Sequence, residues 1–68
     1  MNHLIFTTHL TADGLPDSYS VDGDLTHEGE RFPVGFHSKN FDRAFGEVTY
    51  WVRAFADQSI DTADEIKV

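Results

Sequence analysis

The sequence predicts a small α+β domain. It has a three-stranded antiparallel meander over residues ~3–11, 18–27 and 31–37, and one amphipathic helix over ~40–57 packed on one sheet face. Three observations point there. Apolar residues recur with period two through the first half of the chain. Turn-forming pairs separate those stretches. After residue 40 the apolar spacing changes to that of a helix.

In the first stretch Leu4, Phe6, Thr8 and Leu10 alternate with His3, Ile5, Thr7 and His9. In the second, Tyr19, Val21, Gly23 and Leu25 alternate with Ser18, Ser20, Asp22, Asp24 and Thr26. In the third, Phe32, Val34 and Phe36 alternate with Arg31, Pro33, Gly35 and His37. Each reads as a strand buried on one face. Asp13-Gly14 and Pro16-Asp17 punctuate the first gap, and Glu28-Gly29 the second. A two-residue turn at Glu28-Gly29 sets Leu25 opposite Phe32 and Val21 opposite Phe36, so the apolar faces agree. For the first two strands, matching faces place Leu10 opposite Tyr19 and Leu4 opposite Leu25. Pro33 has no N–H to give to a ladder, so either the third strand is an edge or Pro33 points its missing N–H outward.

Phe41, Phe45, Val48, Val52 and Phe55 follow at i, i+4, i+7, i+11 and i+14, with Ala44 and Trp51 widening the stripe. Asn40 or Ser38 is placed to cap the helix, and Asp42 suits its positive end. The opposite helix face carries Arg43, Gly46, Glu47, Tyr50, Arg53 and Asp57, with Arg43–Glu47 and Arg53–Asp57 spaced for ion pairs. In the tail, Ile66 and Val68 alternate with Glu65 and Lys67, which suits a short fourth strand. Thr62 with Glu65 is also a capping-box spacing, so a last helical turn competes.

Size and composition bound the rest. Sixty-eight residues make one domain, with a core of six Phe, one Trp and two Tyr. A chain this short buries only about 60% of its unfolded surface. There is no cysteine, which excludes disulfides and thiolate metal sites. The run Leu4-Ile5-Phe6 is too short for a signal-peptide core or a membrane span, and a cytoplasmic protein is expected.

Charge gives the functional clue. Twelve acids face five bases, for a net charge of −7. The first thirty residues hold Asp13, Asp17, Asp22, Asp24, Glu28 and Glu30 and no Lys or Arg. Such a field repels nucleic acid and anionic membrane and attracts a basic surface. Asp22 and Asp24 project from one strand face roughly 6.8 Å apart. Rows of fixed carboxylates can imitate the phosphates of DNA, which repeat about every 3.4 Å of axis per strand. These six acids are therefore the expected partner-binding residues, and the expected partner is a basic, nucleic-acid-binding protein surface.

Other chemistry finds no support in the residues. His3 and His9 lie about 20 Å apart by strand rise and cannot share an ion. Asp22-x-Asp24 opens like a calcium loop, but His27 and Pro33 stand where that loop needs Gly and Glu. Neither a metal nor another cofactor is expected. Ser18, Ser20, Ser38 and Ser59 sit in no nucleophile-elbow context, so no catalytic residue is assigned.

In size, acidity and want of catalytic groups the chain is similar to small phage-encoded inhibitors, among them DNA-mimicking anti-CRISPR proteins. That similarity is one of gross character and transfers no residue. It implies a non-enzymatic inhibitor acting in a host cytoplasm. The alternative is a small structural or regulatory subunit that dimerises or docks through Tyr50 and Trp51, its acidity serving only solubility.

Overall fold

The computed structural model describes residues 2–55 and 58–66. Four strands and one helix follow in the order β1 (Asn2–Leu10), β2 (Pro16–His27), β3 (Glu30–Ser38), α1 (Phe41–Ala54) and β4 (Gln58–Ile66). They form one mixed sheet in the order β3-β2-β1-β4, with α1 laid on one face. The molecule is elongated, at 43 × 20 × 15 Å.

The expected meander of β1, β2 and β3 is present, but it is only part of the sheet. The tail forms a nine-residue strand rather than a short one, and it pairs with β1 in parallel, from Asn2↔Gln58 to Leu10↔Ile66. Pairing with β1 holds the whole segment extended from Gln58 to Ile66, so the alternative of a helical turn at Thr62 does not arise. Val68 and Lys67 lie outside the described residues.

The β2–β3 register agrees with the sequence reading, with Leu25↔Phe32 and Val21↔Phe36. Glu28 (φ 52°) and Gly29 (φ 83°) both take positive φ, as a tight hairpin turn of this kind demands. β3 is an edge, which suits Pro33.

The β1–β2 register differs by two residues from that expectation. Leu4 lies opposite Gly23, not Leu25, and Thr8 rather than Leu10 lies opposite Tyr19. A shift of two keeps each residue on its face, so hydrophobic matching alone cannot tell the registers apart. Gly23 decides between them. A Cβ there would run into the His3 carbonyl and sit 2.7 Å from Leu4 Cδ2. Leu4 fills the space that the missing side chain leaves, and it is wholly buried.

The connecting loop is held by Thr11. Its carbonyl accepts from Gly14 N–H at 2.9 Å and its hydroxyl from Leu15 N–H at 3.2 Å. A bulge follows, since His9 pairs with Ser18 but Leu10 with Pro16.

The helix begins where expected. Asn40 Oδ1 accepts from Arg43 N–H at 3.1 Å, and Ser38 Oγ accepts from Asn40 N–H at 3.0 Å. It ends three residues before the expected boundary of 57. Phe55 turns to extended geometry (φ −129°, ψ 104°), and the Gln58 side-chain amide donates to the carbonyls of Trp51 and Phe55. The Trp51 carbonyl also accepts from Phe55 N–H at 2.9 Å, and the Phe55 carbonyl is an acceptor that the helix end leaves without an intrahelical partner. Asp57, and with it the expected Arg53–Asp57 pair, lies outside the described residues. Glu47 accepts from Trp51 Nε1 at 2.7 Å rather than pairing with Arg43.

The core is Leu4, Phe6, Val21, Leu25 and Val34 from the sheet with Ala44, Val48 and Phe55 from the helix. The helix rests on β2 and β3. Its buried seam is Ala44, Val48, Trp51 and Phe55, whereas Phe41, Phe45 and Val52 of the expected stripe are exposed.

Two outcomes test these contacts. Gly23→Ala should cost about 2–3 kcal/mol in urea unfolding, because the clash is partly with backbone. Gly35→Ala, with open space around it, should stay within about 0.5 kcal/mol of the parent. Gln58→Glu should lower the thermal midpoint more than Gln58→Ala at neutral pH, since it sets a carboxylate against carbonyls at the helix's negative end. Folding would raise that carboxyl's pKa, so the extra loss should fade as pH falls through it. Melts at pH 7 and pH 4 check this.

Candidate functional site

The sheet face away from α1 is built from the odd positions of β1, the even positions of β2 and the matching positions of β3 and β4. It includes His3, Ile5, Thr7, His9, Ser18, Ser20, Asp22 and Asp24, as the alternation predicts. β4 adds two carboxylates that the sequence reading did not place there. Ile5 pairs with Asp22 on one side and Asp61 on the other, and His9 pairs with Ser18 and Glu65. Asp22 and Asp61 thus flank exposed Ile5 about 10 Å apart, two strand spacings. The bulge turns Asp17 to the same face, where it lines a cavity of about 210 Å³ with His9, Ser18, His37 and Glu65.

The six acids singled out from the sequence are not gathered into one patch. Asp22 and Asp24 lie mid-face, and Asp17 joins them at the far end. Asp13 stands in the β1–β2 loop and Glu28 in the β2–β3 turn. Glu30 pairs with His27, whose ring meets Phe55, so Glu30 belongs to the helix side of the sheet. From Asp17 to Glu28 the strand runs roughly 36 Å. The shared-face carboxylates are Asp17, Asp22, Asp24, Asp61 and Glu65. A parallel return of the tail onto β1 would have revealed the last two, and nothing in the tail's alternation specifies its partner strand.

Two of these acids have partners. Arg31 binds Asp24 across the β2–β3 hairpin, and both are exposed. The hydrogen bond first, and then the charge of Asp24, raises the Arg31 pKa above its ordinary value. His3 Nε2 meets Asp61 Oδ2 at 2.7 Å. Asp22 carries no ion pair among the described residues. The helix bases Arg43 and Arg53 are on the other side of the sheet.

At the cavity end, His9 Nε2 bonds Ser20 Oγ at 2.9 Å and His37 Nε2 bonds Ser18 Oγ at 3.2 Å, with the two rings 5.8 Å apart. A hydrolytic site needs a third group to orient each imidazole. Among the described residues no carboxylate bonds either ring. Nor do three His, Asp or Glu side chains among them converge as a metal site. Ser18 is buried, so its hydroxyl serves the packing of this end of the sheet.

Of the two aromatics named for a hydrophobic interface, Tyr50 is 63% exposed and its ring meets the Trp51 face edge-on at 5.1 Å. Trp51 is half-buried, packed on Phe55 and tied to Glu47.

Comparison with protein-family models, with curated proteins and with solved structures finds no match in any of the three. No helix among the described residues is long and apolar enough to cross a membrane.

The pairing of Asp24 gives a charge-matched test. Arg31→Ala and Arg53→Ala change net charge equally, but only the first uncovers a carboxylate on the helix-free face. Arg31→Ala should strengthen retention on immobilised polylysine more than Arg53→Ala, with equal melting behaviour for the two variants.

Proposed function

We propose that the chain is a non-enzymatic binding protein whose helix-free sheet face docks on a basic, nucleic-acid-binding protein surface and blocks it. The observation that carries this reading is the convergence of carboxylates from β2 and β4 on one solvent-facing surface. Asp22 and Asp61 flank Ile5, and Asp17 and Glu65 border the far end. Strands hold these groups at fixed spacing, which a loop would not. Arg43 and Arg53 sit behind the sheet, and on that face Arg31 offsets Asp24 against five carboxylates.

Ile5 gives the acidic face an apolar centre, 37% exposed. A charged rim around an apolar point suits a protein partner better than a simple polycation. Duplex DNA is traced by Lys and Arg in its readers, and a rigid anionic surface competes for the same side chains. The proposed role is therefore occupation of a nucleic-acid groove, as the likeness in gross character to small acidic inhibitors implies.

The test is salt-graded capture on the immobilised chain, with identification of what elutes. The expected partner is a Lys/Arg-rich nucleic-acid-binding protein, released at moderate salt because exposed charges are screened beyond about 10 Å at 0.1 M. A double reversal, Asp22→Lys with Asp61→Lys, should abolish capture and leave the melting curve unchanged. Capture that survives the reversal would sink the idea.

A further inference from the structure

We propose that the groove between α1 and the β1–β4 half of the sheet takes an amphipathic helix of a partner protein, one with Lys or Arg flanking its apolar stripe. This surface is on the opposite side of the sheet from the acidic face and does not depend on that reading. The helix rests on β2 and β3 and reaches β1 through Phe41 on Phe6, whereas Ile60 on the same side of β4 is exposed. Phe6, Ile60 and Thr62 floor the resulting groove, and Phe41, Phe45 and Val48 wall it, around a volume of about 250 Å³. Phe41 is 48% exposed, Phe45 54% and Ile60 41%. A chain of 68 residues has little apolar surface to spare, yet here two stacked phenylalanines stand half in water.

The shape and charge of the groove select its occupant. Two strands span about 10 Å, the diameter of a helix with its side chains. A helix laid there beside α1 would meet the sheet and the phenylalanine wall together. A strand added to β4 would pair with its edge and leave Phe45 in water. A carboxylate rims the space: Asp64 pairs with Thr8, which lines it, and so stands on the groove side of β4. Among the described residues no Lys or Arg lines it. That rim favours a basic flank on the incoming helix. It disfavours a second copy of this chain, which carries the same net charge of −7.

The experiment is a titration of the ¹⁵N-labelled chain, in about 0.15 M salt, with a synthetic peptide of about four helical turns. The peptide carries Leu at i, i+3, i+4 and i+7 and Lys elsewhere. Amide shifts should concentrate at Phe6, Phe45 and Ile60. Phe45→Glu and Ile60→Glu should each weaken binding about tenfold or more, although each adds a negative charge that would attract the peptide. These side chains are half-exposed, and circular dichroism should show unchanged helix content. The open-face reversal at Asp22 and Asp61 should leave the shift map in place, which separates this site from the acidic face. Shifts confined to the acidic face and surviving Phe45→Glu would overturn the proposal. So would tighter binding of a period-two Leu/Lys peptide along the β4 amides, or self-association in sedimentation that Phe45→Glu abolishes.

Discussion

Leu4 packed over Gly23 is the contact on which the sheet depends. β1 is a central strand with a neighbour on each side, so its register with β2 fixes where β1 and β4 stand relative to the β2–β3 hairpin and the helix. Hydrophobic matching permits registers that differ by two residues. The missing Cβ at Gly23 selects one of them, because only there can a buried leucine lie against the backbone of the next strand. With Leu4 in place, Phe6 reaches Tyr19 and Phe41, at ring separations of 6.0 and 5.9 Å. Asn2 extends the same ladder by side chain, accepting from Thr26 N–H at 2.8 Å and donating to its carbonyl at 3.2 Å. Asp22 and Asp61 flank Ile5 as a consequence of this alignment.

What could be read from the sequence follows from where local rules suffice. The β2–β3 hairpin was legible because a two-residue turn leaves one register open, and Glu28-Gly29 can adopt the positive φ values it needs. The helix start was legible in Asn40 and its end was not. Its stop depends on Gln58, a residue beyond the helix whose amide reaches back to the last carbonyls. The β1–β2 register was open because a five-residue loop and a bulge do not count residues. Alternation named the right face for each side chain, and Gly23, not used as a packing constraint, carried the missing information.

The candidate site was legible in part for the same reason. Asp22 and Asp24 fell on one face by alternation alone. Asp61 and Glu65 join them through a parallel pairing with β1, which no local pattern in the tail encodes. The helix stripe was also read too broadly. Periodicity marks every apolar position within one arc, but a single helix over four strands can cover only half of them. Ala44, Val48, Trp51 and Phe55 are the covered edge of that arc, and Phe41 and Phe45 the uncovered one. The sheet therefore presents two chemically opposed surfaces, carboxylates on one side and a phenylalanine-walled groove on the other.

The parallel β1–β4 ladder has a kinetic consequence. His3 and Asp61 meet across 58 positions of sequence, whereas β2 and β3 meet across a two-residue turn. Closing the longer loop costs more chain entropy, and such distant pairings slow folding. The hairpin and helix can form while β1 still lacks its second neighbour. Until β4 arrives, the outer backbone edge of β1 is open to other chains. During synthesis that interval lasts until residue 66 has left the ribosome, which makes the docking of β4 the step at which this fold competes with aggregation.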